Sequence, residues 1–327
     1  METKKSFSKD LIKLGNVEET AMQLISKIRE VIFNQIKRKG GVIGISGGID
    51  SSVTMALSVL ALGKENILGL LLPEKDSSGD SARLATILAN KFGIETITED
   101  ISGALEGFDC YKRRDDAIKR VFPEFDPFRY KSKIGIKQPN LMSNLAPLFS
   151  LTIIDEKGES TSKLLPAKEF LQIVAASNFK QRSRMSMLYY HAECRYYAVI
   201  GTPNKHETEQ GFFVKYGDGG ADIMPIGNLY KTQVYQLARY LEIPQEIIGR
   251  TPTTDTYSAE QTQEEFFFQM PFEQMDIIWY GYENGYSAGE VSAELGISEK
   301  EIEGIYRNFT RKQLTTNYLR MSPIRDF

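Results

Sequence analysis

The chain has 327 residues, with 40 Lys and Arg against 43 Asp and Glu and a formal net charge of −3. These charges are dispersed, so no basic face for nucleic acid is expected. Two cysteines, Cys110 and Cys194, and two histidines, His191 and His206, exclude a disulfide framework and argue against a Cys/His metal centre. Both cysteines are expected as small buried side chains. The N-terminal Met-Glu-Thr-Lys-Lys-Ser carries no apolar signal region, and no stretch reaches membrane-spanning length. A cytoplasmic chain without a membrane partner is the expectation.

From Glu18 to Lys39, Met22, Leu24, Ile25, Ile28, Val31, Ile32 and Ile36 recur at helical spacing, and Gly40-Gly41 stops the run. A first strand is predicted over Gly41–Ser46, followed by a helix to Leu62. Ile67–Leu72 reads as a second strand ended by Pro73, Ser81–Phe92 as a helix, and Glu95–Thr98 as a third strand. Residues 108–170 break the rhythm and read as an insertion. Within it Tyr111–Tyr130 is charged and aromatic, and Leu148–Ile154 and Ser160–Leu165 flank a turn at Asp155–Glu159 as a hairpin. Arg182–Arg195 is predicted helical and Tyr197–Ile200 a fourth strand. Residues 265–327 read as helical. There Ser287–Ser298 followed by Glu299–Phe309 has a helix-turn-helix pattern whose second helix is too acidic to face phosphate. Apolar strands separated by helices imply one α/β domain over residues 1–327, built on an open parallel sheet with helices on both faces, Rossmann-like. Ligands of such sheets sit beyond the strand C-termini.

Gly44-Ile45-Ser46-Gly47-Gly48-Ile49-Asp50-Ser51-Ser52 lies at that edge, between strand one and its helix. Glycines admit close backbone approach, and a helix N-terminus favours an anion. Asp50 would repel a phosphate unless a divalent cation lay between them. The Walker spacing is absent. The loop instead is similar to the SGGxDS loop of the ATP-pyrophosphatase group, which cleaves ATP between the α and β phosphates and transfers AMP to a substrate.

Further along come Asn178-Phe179-Lys180-Gln181-Arg182-Ser183-Arg184-Met185, Gly201-Thr202-Pro203-Asn204-Lys205-His206-Glu207 and Gly211–Asp222, then Pro225 and Lys231. With the Ser46 loop, these runs resemble the ammonia-dependent NAD synthetase family. The resemblance implies an adenine nucleotide alpha hydrolase-like fold and a homodimer. It implies that Gly44 to Ser52, Thr202, Lys231 and Thr253 bind ATP, with Asp50 and Glu207 holding Mg²⁺. It implies that Arg182, Lys215 and Asp222, with Thr310 and Arg311 near the C-terminus, contact deamido-NAD. Asp50, Glu207 and Lys231 would be the catalytic set.

Adenylation brings a carboxylate to the α-phosphorus. Mg²⁺, Lys231 and the loop amides suit that charge, and ammonia then needs no protein nucleophile. Three departures fall on the acid side: the family's His-Lys-Arg run stands here as Thr310-Arg311-Lys312-Gln313, its Gln-Thr-Asp-Glu as Gln261-Thr262-Gln263-Glu264, and residues 108–170 are longer. The alternative acceptor is therefore another small carboxylate. A sulfur-transferring tRNA enzyme does not fit isolated cysteines and an acidic chain. The short segment before Glu18 leaves no glutaminase domain, so free ammonia, or ammonia from a separate partner, is the expected nitrogen source. The Met22–Ile36 helix and Phe266-Phe267-Phe268 are candidate dimer contacts, although burial within one subunit is the simpler reading of either.

Overall fold

The computed structural model describes residues 5–77, 79–137, 148–253, 257–259, 261–263 and 269–325. Phe266-Phe267-Phe268 and Glu264 lie outside them. A 3-10 turn at Lys9–Ile12 leads to α1 (Val17–Glu30), whose Asn16 cap accepts the Glu19 N–H at 3.0 Å. A π-helical turn, Val31–Gln35, ends the run short of Lys39, because Lys37 takes a positive φ of 54°.

The chain then alternates β1 (Gly41–Gly44), α2 (Ile49–Leu62), β2 (Ile67–Leu71), α3 (Gly79–Phe92) and β3 (Glu95–Thr98). α4 (Ser102–Gly107) and α5 (Cys110–Val121) follow, then β4 (Lys131–Lys137), β5 (Leu148–Ile154) and β6 (Ser160–Leu164). The long α6 (Ala167–Arg195) returns to β7 (Ala198–Val199), ahead of α7 (Lys205–Gln210), α8 (Lys231–Tyr240) and α9 (Gln245–Ile248). Helices α10 (Phe272–Glu283), α11 (Ala288–Leu295) and α12 (Glu299–Arg320) close the fold.

The main sheet is parallel in the order β3-β2-β1-β7, with Gly41 opposite Ile67 and Ala198. Ile43, Ile45, Ile67 and Leu71 pack on α1, α2, α3 and α8. The alternate residues Val42, Leu68, Leu70 and Val199 pack on Met185, Leu188 and Ala192 of α6. Each such aliphatic side chain contributes about 1.5–3 kcal/mol when fully buried, and period-two alternation along the strands supplies both faces. The strand order runs outward from β1 to β3 and then reverses, through α6, to β7. The crevice between the C-terminal ends of β1 and β7 is therefore a topological switch point.

The expected hairpin is present as β5 and β6, joined by a turn in which the Asp155 side chain accepts the Lys157 and Glu159 N–H groups, both at 2.9 Å. It is one edge of a three-stranded antiparallel sheet, because β4 pairs with β5 from Lys131↔Ile154 to Lys137↔Leu148. Helix α5 was also not anticipated. It buries Cys110, Tyr111, Arg114, Ala117 and Ile118 at helical spacing, with Arg114 taking an apolar position by virtue of its ion pairs. Cys110 is buried as expected, whereas Cys194 is exposed near the solvent-facing end of α6. α6 itself starts well before Arg182, at Ala167 after Pro166.

The C-terminal helices form their own core around Met275, Trp279, Ile302 and Phe309. The helix-turn-helix pattern appears as α11 and α12, each opened by a capping box, Ser287/Glu290 and Ser298/Glu301. Asp276 of α10 ties this layer to the site: it pairs with fully buried His206 of α7 and accepts the Thr232 N–H of α8 at 2.6 Å. Asp276→Ala is expected to cost about 3 kcal/mol, in the range for breaking a buried charged network, read as a lower midpoint in chemical denaturation. A change below about 1 kcal/mol would remove this pair from the stabilising contacts.

Candidate active site

A cavity of about 650 Å³ opens at the switch point. Its lining includes Gly44, Ile45, Ser46, Gly48, Ile49, Asp50 and Ser51 of the glycine loop, Thr202 after β7, Glu207, Lys231 and Thr253. The loop shape follows from its residues. Gly47 has φ 71°, and a Cβ there would come within 2.8 Å of the Ser81 carbonyl, so only glycine fits. Ser51 and Ser52 turn their hydroxyls back to the Gly48 carbonyl, at 3.0 and 2.8 Å. Ser52 is fully buried and lies off the cavity lining, as does Gly47.

At the start of α2, Asp50 meets Lys231, the first residue of α8, at 2.5 Å. Lys231 is fully buried. Burial opposes its charge, but Asp50 and then Glu207 outweigh that and hold its pKa above the ordinary lysine value. Glu207 is pushed up to about 8, first by burial and then by the charge of Asp50, against the pull of Lys231. Asn204 places both carboxylates. It N-caps α7, its amide donates to Asp50 Oδ1 at 3.4 Å, and its own N–H donates to Glu207 Oε2 at 2.9 Å in a capping box. Glu207 thus caps a helix and lines the cavity with the same side chain.

The other residues singled out from the sequence lie elsewhere. Arg182 donates to the Lys215 carbonyl at 3.2 Å, and Lys215 Nζ donates to the carbonyls of Tyr318 and Met321, both at 2.8 Å. Asp222 accepts the Val199 N–H at 2.8 Å and the Tyr189 hydroxyl at 3.1 Å. Thr310 sits 2.9 Å from the Tyr282 hydroxyl. None of these, nor Arg311, lines the cavity of the single chain. The glycines of Gly211–Asp222 serve close packing: a Cβ on Gly219 would lie 2.3 Å from Phe213 Cδ2.

Several cavity residues were not singled out. Lys180, Gln181 and Arg184 line it from α6. Their i, i+1, i+4 spacing puts them on one face and turns Arg182 away, which is a legible signal once the helix is granted. Lys180 is 3% exposed and reaches Glu74 Oε1 at 3.0 Å and Asp76 Oδ2 at 2.7 Å. Asp76 also pairs with Arg114, and the Tyr111 hydroxyl donates to Glu74 Oε2 at 2.7 Å. Although burial disfavours its charge, Lys180 and Arg114 hold the Asp76 carboxyl below the ordinary carboxylate range. Arg250, Gln263 and Asp218 also line the cavity. Burial pushes Asp218 up to about 6, although it accepts the Val214 N–H at 2.8 Å.

From α12 it is Lys312, with Thr315 and Thr316, that lines the cavity rather than Thr310 and Arg311. Lys312 donates to Gln210 Oε1 at 3.3 Å, and burial, followed by the charge of Arg311, pushes its ammonium down to about 7. The unfolded chain would hold that proton up to about pH 10.4. The folded state therefore binds fewer protons between those values, and this lysine's penalty grows as pH falls through the window and is constant below it. Each tenfold loss of proton affinity on folding is worth about 1.4 kcal/mol. Lys312→Met is accordingly expected to raise stability by a few kcal/mol at pH 7 and by almost nothing near about pH 10.5. Denaturation midpoints at the two pH values check the sign; an equal gain at both would mean that Lys312 is not held neutral by the fold.

Comparison with known proteins places this geometry. The NAD synthase family model matches residues 20–122 and 137–317. The chain belongs to the NAD synthase family. The stretch between the two matches covers residues 123–136, which includes most of β4. Among curated relatives in the family, the NH₃-dependent NAD⁺ synthetase of Mesorhizobium japonicum is 46% identical over 92% of this chain and 94% of its own. That of Rhizobium meliloti is 43% identical over 97% and 94%. The solved NMN synthetase of Francisella tularensis superposes with a TM-score of 0.64 at 25% identity, covering 95% of this chain and 99% of its own. The NH₃-dependent NAD synthetase of Campylobacter jejuni, at 22% identity, shares the fold with a TM-score of 0.61 over 95% and 100%. No helix among the described residues is long and apolar enough to cross a membrane.

Proposed function

We propose that the chain is a C–N bond-forming ligase that amidates deamido-NAD to NAD with ammonia, consuming ATP through an acyl-adenylate and releasing AMP and pyrophosphate. The observation that carries the reading is the buried Lys231 ammonium held against Asp50 beside Glu207, at the end of a glycine loop that opens into the switch-point cavity. The likeness to NH₃-dependent NAD⁺ synthetases supports deamido-NAD as the acceptor.

The donor set suits Mg²⁺. Asp50 and Glu207 line the cavity, and no cluster of three or more His, Cys, Asp or Glu forms a closed metal cage among the described residues. Mg²⁺ takes one or two carboxylates and completes its shell with phosphate oxygens and water. We assign Asp50 and Glu207 as its protein ligands; when bound, the ion offsets phosphate charge and steadies pyrophosphate as it leaves.

A carboxylate oxygen of the acid attacks the α-phosphorus of ATP, the α–β bridging P–O bond breaks, and pyrophosphate leaves. Lys231 and the backbone N–H groups of the Gly44–Ser51 loop stabilise the charge that gathers on the phosphoryl oxygens, and in a site closed to water such donors act strongly. Ammonia nitrogen then attacks the acyl carbon, the C–O bond to AMP breaks, and one N–H proton is lost. Arg184 and Arg250 supply further positive charge around the cavity, while Thr202 and Thr253 offer hydroxyls to ATP. Arg182, Lys215, Asp222, Thr310 and Arg311 lie outside the single-chain cavity, which suits an acid site completed by a second subunit. We propose a homodimer in the cytoplasm, with the exposed apolar side chains Met22, Phe33 and Leu60 as one contact face, tested by light scattering.

The deciding experiment is pyrophosphate release from ATP, Mg²⁺ and ammonium with and without deamido-NAD. Release that depends on deamido-NAD and equals NAD formed is expected. Release with another small carboxylate but not with deamido-NAD would move the acceptor to that acid and leave the adenylation chemistry in place.

A further inference from the structure

Helix α10 carries two carboxylates that the adenylation chemistry leaves without a task. Asp276 is fully buried in the run Met275-Asp276-Ile277-Ile278-Trp279, where an ionised group persists only when it is paired and hydrogen-bonded. Glu283 stands about two helical turns further along the same helix. Neither lines the cavity.

Each acid gathers donors from two other helices. Asp276 Oδ1 lies 2.5 Å from His206 Nε2, and its Oδ2 accepts the Thr232 N–H at 2.6 Å and the Thr232 hydroxyl. Gln210 Oε1 accepts from Lys312, which turns Gln210 Nε2 to His206 Nδ1 at 3.3 Å. Nδ1 is then the acceptor, and Nε2 carries the proton donated to Asp276. Glu283 Oε1 accepts the Tyr230 hydroxyl, and its Oε2 accepts from Lys205 Nζ at 2.9 Å and Trp279 Nε1 at 3.1 Å. Burial, then the bond to Glu283, pushes the Tyr230 hydroxyl far above the ordinary tyrosine value and keeps it a donor.

The partners fall in register with the site. Lys205 and His206 immediately precede Glu207 in α7, and Tyr230 and Thr232 flank Lys231 at the start of α8. Each acid of α10 therefore takes one residue beside Glu207 and one beside Lys231. The Phe272 ring, at the head of α10, lies 5.1 Å from Lys231 Nζ. Residues 211–230, which join α7 to α8, contain no helix, so the spacing of the two functional side chains depends on contacts that bridge the helices from outside.

We propose that α10 is a two-rung clamp whose Asp276 and Glu283 are positioning residues, holding Glu207 and Lys231 at the spacing that triphosphate binding and its chemistry require. The inference rests on the adenylation reading and deepens it, because both acids act through Glu207 and Lys231.

The test uses the full chain with Asp276→Asn and Glu283→Gln. Each amide keeps the shape but puts an N–H₂ where a donor points. Ile302→Ala is the control: it opens the same C-terminal core without removing a hydrogen-bonding group. Thermal melts rank the stability losses. At a temperature where all chains are folded, kcat for NAD formation is measured, with calorimetric ATP affinity in Mg²⁺ and in EDTA. Each clamp variant is expected to lose about tenfold in kcat and about tenfold in the Mg²⁺-dependent gain of ATP affinity, the low end for loss of a group that orients a metal ligand. Ile302→Ala is expected to melt earlier and keep both within about twofold. Wild-type values in the folded clamp variants, or equal losses in Ile302→Ala, overturn the clamp. If Asp276→Asn does not fold, Glu283→Gln decides, since its side chain is 29% exposed in the native chain. If the wild-type chain binds ATP with Mg²⁺ but makes no NAD, the acceptor assignment fails while the affinity gain still decides the clamp. Absence of ATP binding by the wild-type chain overturns both.

Discussion

Asp50→Asn is expected to lower deamido-NAD-dependent ATP–pyrophosphate exchange about 10³-fold, with the fold intact. Loss of one preorganised electrostatic group at developing charge typically costs about 10²–10³ in rate, and this side chain has two such roles. It holds the Lys231 ammonium at 2.5 Å, and it is one of the two carboxylates assigned to Mg²⁺. The amide keeps the shape and can still accept from Asn204 Nδ2, which lies 3.4 Å from Oδ1, so the loop should hold its course. Glu207 stays beside Lys231 and, freed from the charge of Asp50, ionises more readily, so the ammonium keeps a partner. The stability cost should therefore stay near the low end of the range for a broken buried pair, about 1–3 kcal/mol. The Mg²⁺ concentration for half-maximal exchange should rise, since one protein ligand is lost. Exchange within about threefold of wild type at unchanged Mg²⁺ dependence would remove Asp50 from the metal and from the chemistry.

Asp50 was legible because its signal is local. Glycines, a carboxylate and two serines between an apolar strand and a helix can be placed without tertiary information, and so can the Asn204–Glu207 capping box after β7. The parallel sheet was legible for the same reason: Gly41–Gly44, Ile67–Leu71 and Glu95–Thr98 are short strands bounded by helices of clear periodicity. What was lost depends on packing between distant segments. Lys180 meets Glu74 and Asp76 across more than a hundred residues, and nothing local to either partner announces the pair. Helix α5 was hidden because it fills a core position with Arg114, whose burial makes sense only once Asp76 and Asp115 are beside it. β4 carries lysines among its apolar residues and is identified as a strand only through its ladder to β5.

The C-terminal helix shows the difference most sharply. Thr310, Arg311 and Lys312 are adjacent in sequence, so composition cannot choose among them. Helix phase can. The Thr316 hydroxyl lies 3.4 Å from the Gln210 carbonyl, and Lys312, one turn earlier, donates to the Gln210 side chain. That register against α7 turns Lys312 to the cavity and Thr310 to Tyr282. The register is a property of two packed helices, set by contacts such as a Gly211 so close to Thr316 that a Cβ would lie 2.3 Å from its Cβ. No window of sequence contains it.

Lys231→Met should have the largest combined effect on rate and stability. The substitution keeps most of the volume and removes the only positive charge buried between Asp50 and Glu207 among the described residues. The two carboxylates are then left facing each other in a partly desolvated site. Removing one partner of a buried pair costs about 3–5 kcal/mol, largely because the other charge stays behind unpaired. Turnover should fall by about 10³-fold or more, since the ammonium is aimed at the phosphoryl charge. The double variant Asp50→Asn/Lys231→Met separates the two effects. With one carboxylate neutralised, the repulsion that destabilises Lys231→Met is relieved. The double variant should therefore be more stable than Lys231→Met, and its loss smaller than the sum of the single losses by about 1–3 kcal/mol. Its activity should not return, because neither the ammonium nor the metal carboxylate has been restored. Chemical denaturation of the four chains, with exchange assays on the same preparations, reads both halves. Additive stability losses would mean that Lys231 and Asp50 do not interact in solution as they do in the structure, and recovered exchange in the double variant would place the essential positive charge elsewhere in the cavity.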